Sequence, residues 1–69
     1  MKTVSYKKLW KMLIDKSITK QELRRLCNIS AGTMTKLNKG LEVSMSVLVK
    51  ICTVLECDIG DICEVEKQV

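Results

Sequence analysis

The stretch from residue 19 to residue 40, TKQELRRLCNISAGTMTKLNKG, constrains this chain most. Leu23, Leu26 and Cys27 recur at helical spacings, and a second apolar stripe resumes after Asn28. The sequence therefore predicts two short helices that meet at a tight turn. Asparagine suits such a turn because it is one of the few residues besides glycine that tolerates a left-handed backbone.

The second of these helices is predicted from Ser30 to about Lys39. Ser30 can cap its first turn, and Gly40 can close its end. Only one stripe of this helix is apolar, so its outward face is small, polar and cationic. Two short helices joined by a turn of about three residues form a helix-turn-helix, and a face of this character fits a DNA major groove.

Several positions on the outward face are suited to contact with base edges. Lys36 can reach guanine acceptors, and Thr33 or Thr35 can offer a hydroxyl or a methyl group. Gly32 costs about 1 kcal/mol relative to alanine within a helix. Close approach to a groove floor and simple tolerance of glycine in a first turn explain it equally well. Because the leading positions lack Gln, Asn and Arg, sequence discrimination is expected to depend on thymine contacts and DNA shape.

Lys20 lies at the start of the preceding helix, where Thr19 and Glu22 form a T-x-x-E capping box. A positive side chain is unfavourable at this end of the helix dipole, and a DNA phosphate is one explanation for it. Plain exposure to solvent is the other. Arg24 and Arg25 on the same helix either approach the DNA backbone or face water.

Charge is divided unevenly along the chain. Residues 1–40 contain ten Lys or Arg and two acids, a net charge of +8, whereas residues 41–69 contain two Lys and six acids, a net charge of −4. Scattered lysines can simply solvate helix faces. The basic half coincides with the turn motif, however, and this favours a nucleic-acid partner.

The remaining sequence predicts three more helices around an aliphatic core. The first begins after Ser5, ends at about Lys16 and has one broad apolar face. The residues of that face are Tyr6, Leu9, Trp10, Leu13 and Ile14. Ser44 caps a helix that ends at about Glu56 and supports the helix-turn-helix. Its apolar stripe consists of Val47, Leu48, Ile51, Val54 and Leu55.

A last short helix is expected to begin at Asp58, with Asp61 three residues further on. It carries Ile59, Ile62 and Cys63. Residues 64–69 alternate in polarity, which is compatible with a short strand, able to pair with residues 1–4, or with a frayed end. The elements together predict an all-α, five-helix single domain over residues 1–69, with residues 1–4 as a lead-in and residues 64–69 as a short tail.

The sequence contains no pattern typical of an enzyme or of a metal site. Histidine is absent, and we find no nucleophile beside a base and no glycine-rich phosphate loop, so neither catalysis nor a cofactor is expected. Cys27, Cys52, Cys57 and Cys63 match no common zinc spacing, and core packing is the preferred interpretation. No signal peptide or membrane-spanning run is present, so a cytoplasmic location is expected.

These features resemble the lambda-repressor-like, XRE-type (Cro-type) helix-turn-helix family over residues 6–63. The matching residues are Ile18-Thr19, Leu23, Asn28-Ile29-Ser30, Lys39-Gly40, Ser44 with Leu48, Ile51 and Leu55, and the segment Cys57-Asp58-Ile59-Gly60-Asp61-Ile62. The resemblance implies a five-helix domain whose third helix reads the major groove. The start of the second helix and the exit of the third would bind phosphates.

The resemblance also assigns positions on the DNA-facing surface. The groove-facing residues would be Ser30, Ala31, Gly32, Thr33, Thr35 and Lys36. Lys20 matches a phosphate-binding glutamine, and Asn38, Lys39 and Gly40 match the exit segment near the DNA backbone. The predicted contacts therefore come from both helices of the motif.

The chain departs from the family pattern at four positions. Arg24 stands where a small residue is common, and Asn28 stands where glycine is common. Leu13 and Asn38 replace an arginine of the first helix and a glutamate at the end of the third, which often pair. Packed side chains can replace a partly buried ion pair without loss of stability.

The leading functional expectation is a small transcriptional regulator that binds double-stranded DNA. A chain this short buries a modest fraction of its surface, which favours a symmetric homodimer on a palindromic operator with half-sites about one helical turn apart. The dimer is expected to form through the last helix and tail, at Ile59, Ile62, Val65 and Val69. One alternative is an antitoxin-like protein-interaction module with weak or no specific DNA binding. Another is a thiol switch through Cys57 or Cys63.

Overall fold

A computed structural model describes residues 2–67 of the chain. Over these residues it contains four α-helices, one 3-10 turn and a two-stranded antiparallel sheet. None of the helices in this range is both long and apolar enough to cross a membrane. In chain order the elements are β1 (Lys2–Ser5), α1 (Lys7–Asp15), α2 (Lys20–Cys27), α3 (Ala31–Asn38), α4 (Met45–Leu55), the 3-10 turn (Ile59–Asp61) and β2 (Glu64–Lys67).

One aliphatic core joins all four helices. Each helix and the residue after the 3-10 turn contribute a side chain that is at most 1% exposed: Leu9, Leu23, Leu37, Ile51 and Ile62. Helices α2 and α3 have only eight residues each, a length that is marginal for an isolated helix in water. Their stability therefore comes mainly from burial of their apolar stripes against α1 and α4.

Three of the predicted helix starts are confirmed. Thr19 and Glu22 form a reciprocal capping box, with both hydrogen bonds at 3.1 Å. Hydrogen bonding by Thr19 to the Glu22 carboxyl, from its backbone N–H first and its side chain second, holds the pKa of that carboxyl below its usual range. The hydroxyls of Ser30 and Ser44 accept backbone N–H groups at 3.1 and 3.3 Å. Ser5 lies one residue before the cap position of α1, which Tyr6 occupies, although its hydroxyl accepts the Lys7 N–H at 3.4 Å.

Each α-helix ends at a residue with a left-handed backbone. These residues are Ser17, Asn28, Gly40 and Glu56, with φ of 57°, 54°, 72° and 54°. The predicted turn at Asn28 is confirmed. The N–H of Asn28 donates to Arg25 and that of Ile29 to Arg24, each at 3.2 Å, so the last carbonyls of α2 are satisfied. Gly40 closes α3 as predicted, since its positive φ disfavours other residues.

The two ends of the described chain form a sheet rather than loose segments. Strand β1 pairs antiparallel with β2, with Val4 opposite Val65 and Ser5 opposite Glu64. The predicted lead-in therefore forms a strand. For the tail, the sequence left a short strand or a frayed end open, and the strand is observed, from Glu64 to Lys67.

The predicted fifth helix begins at its predicted cap, Asp58 with Asp61, but it is a single 3-10 turn and not an α-helix. Asp58 caps only the 3-10 turn, where the N–H groups of Ile62 and Cys63 both donate to the Ile59 carbonyl at 3.1 Å. The chain must then extend into β2 to reach β1, which ends helical growth after one turn. The fold is thus mostly helical, with four α-helices, a 3-10 turn in the place of the fifth helix and a small sheet.

Several side chains differ from their predicted positions. Ile14 is 77% exposed, so the apolar face of α1 is narrower than expected. Ile62 is fully buried in the core and is removed from the predicted dimer surface. Val65 is 71% exposed, Ile59 is half-buried, and Val69 lies outside the described residues. Ile62 lies between the 3-10 turn and β2, where the chain turns back towards β1, and its side chain packs into the core there.

The four cysteines are free thiols in or beside the core. Cys27 and Cys52 are buried, and Cys57 and Cys63 are half-buried. Burial raises the pKa of the Cys27 and Cys63 thiols, and burial together with the neighbouring Cys57 raises that of Cys52 to about 11. A raised pKa lowers the thiolate fraction and hence the reactivity of these groups.

We expect Glu56→Gly to stabilise the protein by about 1 kcal/mol, because a left-handed backbone is strained for residues with a Cβ. Thermal unfolding would show this as a rise of about 4–8 °C in Tm. Glu56→Ala is the matched control, since it removes the carboxylate and keeps the Cβ. Equal gains in both variants would mean that charge, not backbone conformation, is responsible.

We expect a thiol reagent at about pH 8 to modify Cys57 first, because Cys27 and Cys52 are buried and the Cys63 thiol donates to the Ile59 carbonyl at 3.5 Å. Reaction of Cys52 should proceed only as fast as the protein opens. Stopped-flow measurement would show one fast thiol in the wild type and none in Cys57→Ser. A fast phase that survives this substitution contradicts the assignment.

Candidate nucleic-acid interface

Helix α3 packs one face on the core and presents the other to solvent. Met34 and Leu37 are buried and seat the helix. Of the residues predicted to face the groove, only Thr33 is half-buried. The others are exposed: Ser30, Ala31, Gly32, Thr35 and Lys36. The small side chains lie in the first turn of α3 and the cation lies more than one turn further on.

Some polar groups of this face are already engaged within α3. The Ser30 hydroxyl accepts the Thr33 N–H at 3.1 Å and donates to the Thr33 hydroxyl at 3.0 Å. The Thr35 hydroxyl donates to the Ala31 carbonyl at 3.0 Å. The Thr33 hydroxyl proton remains available, and the Lys36 ammonium has no hydrogen-bond or ion-pair partner among the described residues. Lys36 is therefore the strongest donor that α3 offers to another molecule.

Gly32 faces open space. A Cβ built at this position would meet only the Ser30 hydroxyl oxygen, at 3.9 Å, which is ordinary van der Waals distance. Packing inside the protein therefore does not require glycine here. Of the explanations considered, close approach of another molecule and tolerance of glycine in a first turn remain.

Lys20, Asn38 and Trp10 form a cluster that joins three helices. The Lys20 ammonium at the start of α2 donates to the side-chain oxygen of Asn38 at the end of α3, at 2.8 Å. The same ammonium lies 4.3 Å from the centre of the Trp10 ring on α1. Two residues predicted to bind phosphate are thus in direct contact. We refer to these three residues as the lysine cluster.

Trp10 was missed by sequence reasoning, which placed it only on the apolar face of α1. The side chain is half-buried and lines a shallow hollow with Leu37, Asn38 and Lys39. One sequence signal could have led to Trp10: Lys20 stands at the N-terminal end of α2, where the helix dipole disfavours a positive charge. An aromatic ring nearby offsets that cost, but contact with a residue ten positions earlier in the chain depends on the tertiary fold.

The exit of α3 is fixed by backbone and core contacts. Lys39 is exposed, and the Leu41 N–H donates to the Lys36 carbonyl at 2.9 Å across the left-handed Gly40. The Tyr6 hydroxyl donates to the Leu41 carbonyl at 2.8 Å. Burial raises the pKa of Tyr6, which keeps this donor protonated. The loop after α3 is therefore anchored to the core beside Lys39.

Ion pairs among the described residues involve α1 and β2 and leave the cations of the helix-turn-helix unpaired. Lys7 and Lys8 of α1 pair with Glu66 and Glu64 of β2 at 3.3 and 3.7 Å. Exposed pairs of this kind contribute little stability, but they offset the charge of two of the three lysines of α1, and Lys11 stays unpaired within the described range. Within residues 2–67, the cations of α2, α3 and the exit form no ion pair. They are Lys20, Arg24, Arg25, Lys36 and Lys39.

Arg24 lies on the α3 side of α2. It lines an open cleft between the two helices together with Lys20, Gln21, Ala31 and Met34. The cleft begins at the exposed N-terminus of α3 and is bordered by two cations. Arg24 is exposed beside the candidate interface, and its contact with the DNA backbone stays a prediction.

Comparison with known proteins agrees with this geometry. A model of the Cro/C1-type HTH DNA-binding domain matches residues 8–68. The crystal structure of the transcriptional regulator VanUg is similar, with a TM-score of 0.95, 48% identity, and coverage of 97% of this chain and 89% of that chain. No curated protein sequence matches the chain. Because the family match spans most of its length, the chain belongs to the Cro/C1-type helix-turn-helix DNA-binding domains.

Proposed function

We propose that this protein is a sequence-specific transcriptional regulator that places α3 in the major groove of double-stranded DNA. The observation that carries the proposal is the exposed face of α3, which presents small residues and one unpaired lysine and has further cations beside it, on α2 and at its own exit. Such a surface suits a polyanionic groove and not a catalytic pocket. We infer that it acts in the cytoplasm and is not an enzyme.

The groove contacts are assigned to the first two turns of α3. Ala31 and Gly32 have the smallest side chains, so the N-terminus of the helix can approach the groove floor closely. Lys36 can donate to guanine O6 or N7, and the free Thr33 hydroxyl proton can reach a base acceptor. With so few donors, shape and thymine methyl contacts complete the discrimination.

The backbone contacts are assigned to the two flanks of α3. Lys20 and Asn38 lie on one flank as part of the lysine cluster, and Lys39 lies at the anchored exit. Cations that approach phosphates release counterions, so binding is expected to weaken steeply as salt rises. These contacts position α3 but carry no sequence information.

A homodimer on a palindromic operator completes the proposal. Its surface would use the exposed Val65 on β2 and the half-buried Ile59, without Ile62. A two-fold axis would then relate two copies of α3 about one helical turn of DNA apart.

A protein-interaction module is the second candidate. Exposed apolar side chains outside α3 favour it; among them, Leu26 and Val49 are each 50% exposed and Met45 is 60% exposed. Exposed apolar groups are common on small domains when they are scattered. Leu26 and Val49, however, border one groove between α2 and α4. Salt-dependent DNA binding separates the two functions.

We expect Lys20→Ala and Lys36→Ala to weaken DNA binding in different ways. Loss of a phosphate contact should lower the slope of log K against log salt by about 1 for all sequences, whereas loss of a base contact should cost about 1–3 kcal/mol and relax specificity. Fluorescence anisotropy with a duplex selected from a random pool measures both. Lys50→Ala on α4 is the charge-matched control. Unchanged affinity in the Lys20→Ala, Lys36→Ala double variant would contradict the proposal.

We expect Gly32→Ala to raise stability while lowering DNA affinity. Alanine should stabilise α3 by about 0.5–1 kcal/mol because the added Cβ meets open space. The same Cβ should obstruct a close groove floor and weaken binding about tenfold, or about 1.4 kcal/mol. Gly60→Ala, also in open space but outside the interface, should leave binding unchanged. If Gly32→Ala binds like the wild type, the glycine is only tolerated.

A further inference from the structure

We propose that Trp10 is a positioning residue for DNA binding, which holds Lys20 and Asn38 as a preformed phosphate-binding pair at the flank of α3. This inference rests on the proposed function and deepens it. It adds a residue of α1 that touches no base and acts only through Lys20. The partner group is a phosphate of the DNA backbone.

The ammonium of Lys20 is held from two directions. One N–H donates to the Asn38 oxygen at 2.8 Å, and the Trp10 ring lies 4.3 Å away on another side. A ring attracts a cation through its quadrupole, within about 6 Å of its centre, and needs no particular N–H. An ammonium has three N–H donors. Lys20 therefore keeps donors for an anion while its position is already set.

The hydrogen bond also orients the amide of Asn38. Because its oxygen accepts from Lys20, its NH₂ group points away from the ammonium and has no partner among the described residues. The pair thus offers N–H donors from both members on one exposed flank. A phosphate has several acceptor oxygens and matches such a pair better than a single base edge does.

Trp10 is held in the fold beside the Lys20–Asn38 pair. Its ring is half-buried and borders the hollow that holds Leu37, Asn38 and Lys39. A lysine side chain that is not held in place loses rotamer freedom when it binds an anion, and this loss lowers the affinity for the anion. Holding the side chain in place before binding reduces that loss. Trp10 therefore acts on the backbone contact and leaves base discrimination unchanged.

A double-mutant cycle on the full chain tests this role. Wild type, Trp10→Leu, Lys20→Ala and the double variant are compared for binding to a mixed-sequence duplex of about 20 base pairs over a salt series. Trp10→Leu should weaken binding about two- to fivefold, the range of an exposed cation–π contact. In the Lys20→Ala background the same substitution should cause no further loss. Trp10→Phe, which keeps an aromatic face, should restore most of the affinity.

Two measurements separate positioning from folding. Thermal unfolding of each variant confirms that it is folded at the assay temperature. The emission of Trp10, the only tryptophan of the chain, should change in free Lys20→Ala because the ammonium leaves the ring. Lys50→Ala, with its charge outside the lysine cluster, should leave this emission unaltered.

The outcomes distinguish the inference from the proposed function. If Trp10→Leu weakens binding equally with and without Lys20, or leaves it unaltered, Trp10 does not act through Lys20 and the inference is overturned, while salt-dependent binding by the wild type still supports the regulator. Absence of salt-dependent binding by the wild type would overturn both.

Discussion

The seating of α3 on the aliphatic core is the constraint on which the rest of this structure depends. Eight residues cannot maintain a helix alone in water, so burial of Met34 and Leu37 holds the helix, and the Ser30 cap and Gly40 fix its two ends. Because the apolar stripe of the helix is buried in the core, only the face with small side chains and Lys36 is accessible to a partner. The same contacts thus stabilise the fold and orient the surface that faces DNA.

Much of this arrangement could be predicted from the sequence because its determinants are local. The caps at Thr19, Ser30 and Ser44 depend on side chains within three residues of the amides they satisfy, and Asn28 and Gly40 mark helix ends through their own backbone preferences. The exposure of the candidate groove residues was predictable because only one stripe of α3 is apolar, and the basic character of this half follows from the uneven charge along the sequence.

The features that were missed depend on contacts between distant parts of the chain. The lysine cluster joins residues 10, 20 and 38, which only the packed helices bring together. Ile62 is buried because the chain turns back to form β2, a consequence of its pairing with β1. The lysine cluster also clarifies a departure from the family pattern. Leu13 is buried in the core, and the end of α3 receives its cation from Lys20 of α2 rather than from α1.

The most direct test of the account maps the surface that DNA covers on the folded protein. Backbone amide shifts would be recorded by NMR during titration with a duplex selected from a random pool. We predict that the largest changes fall at residue 20 and over residues 30–39, with α4 nearly unaffected. Changes concentrated near Leu26 and Val49, with the amides of α3 unmoved, would contradict it.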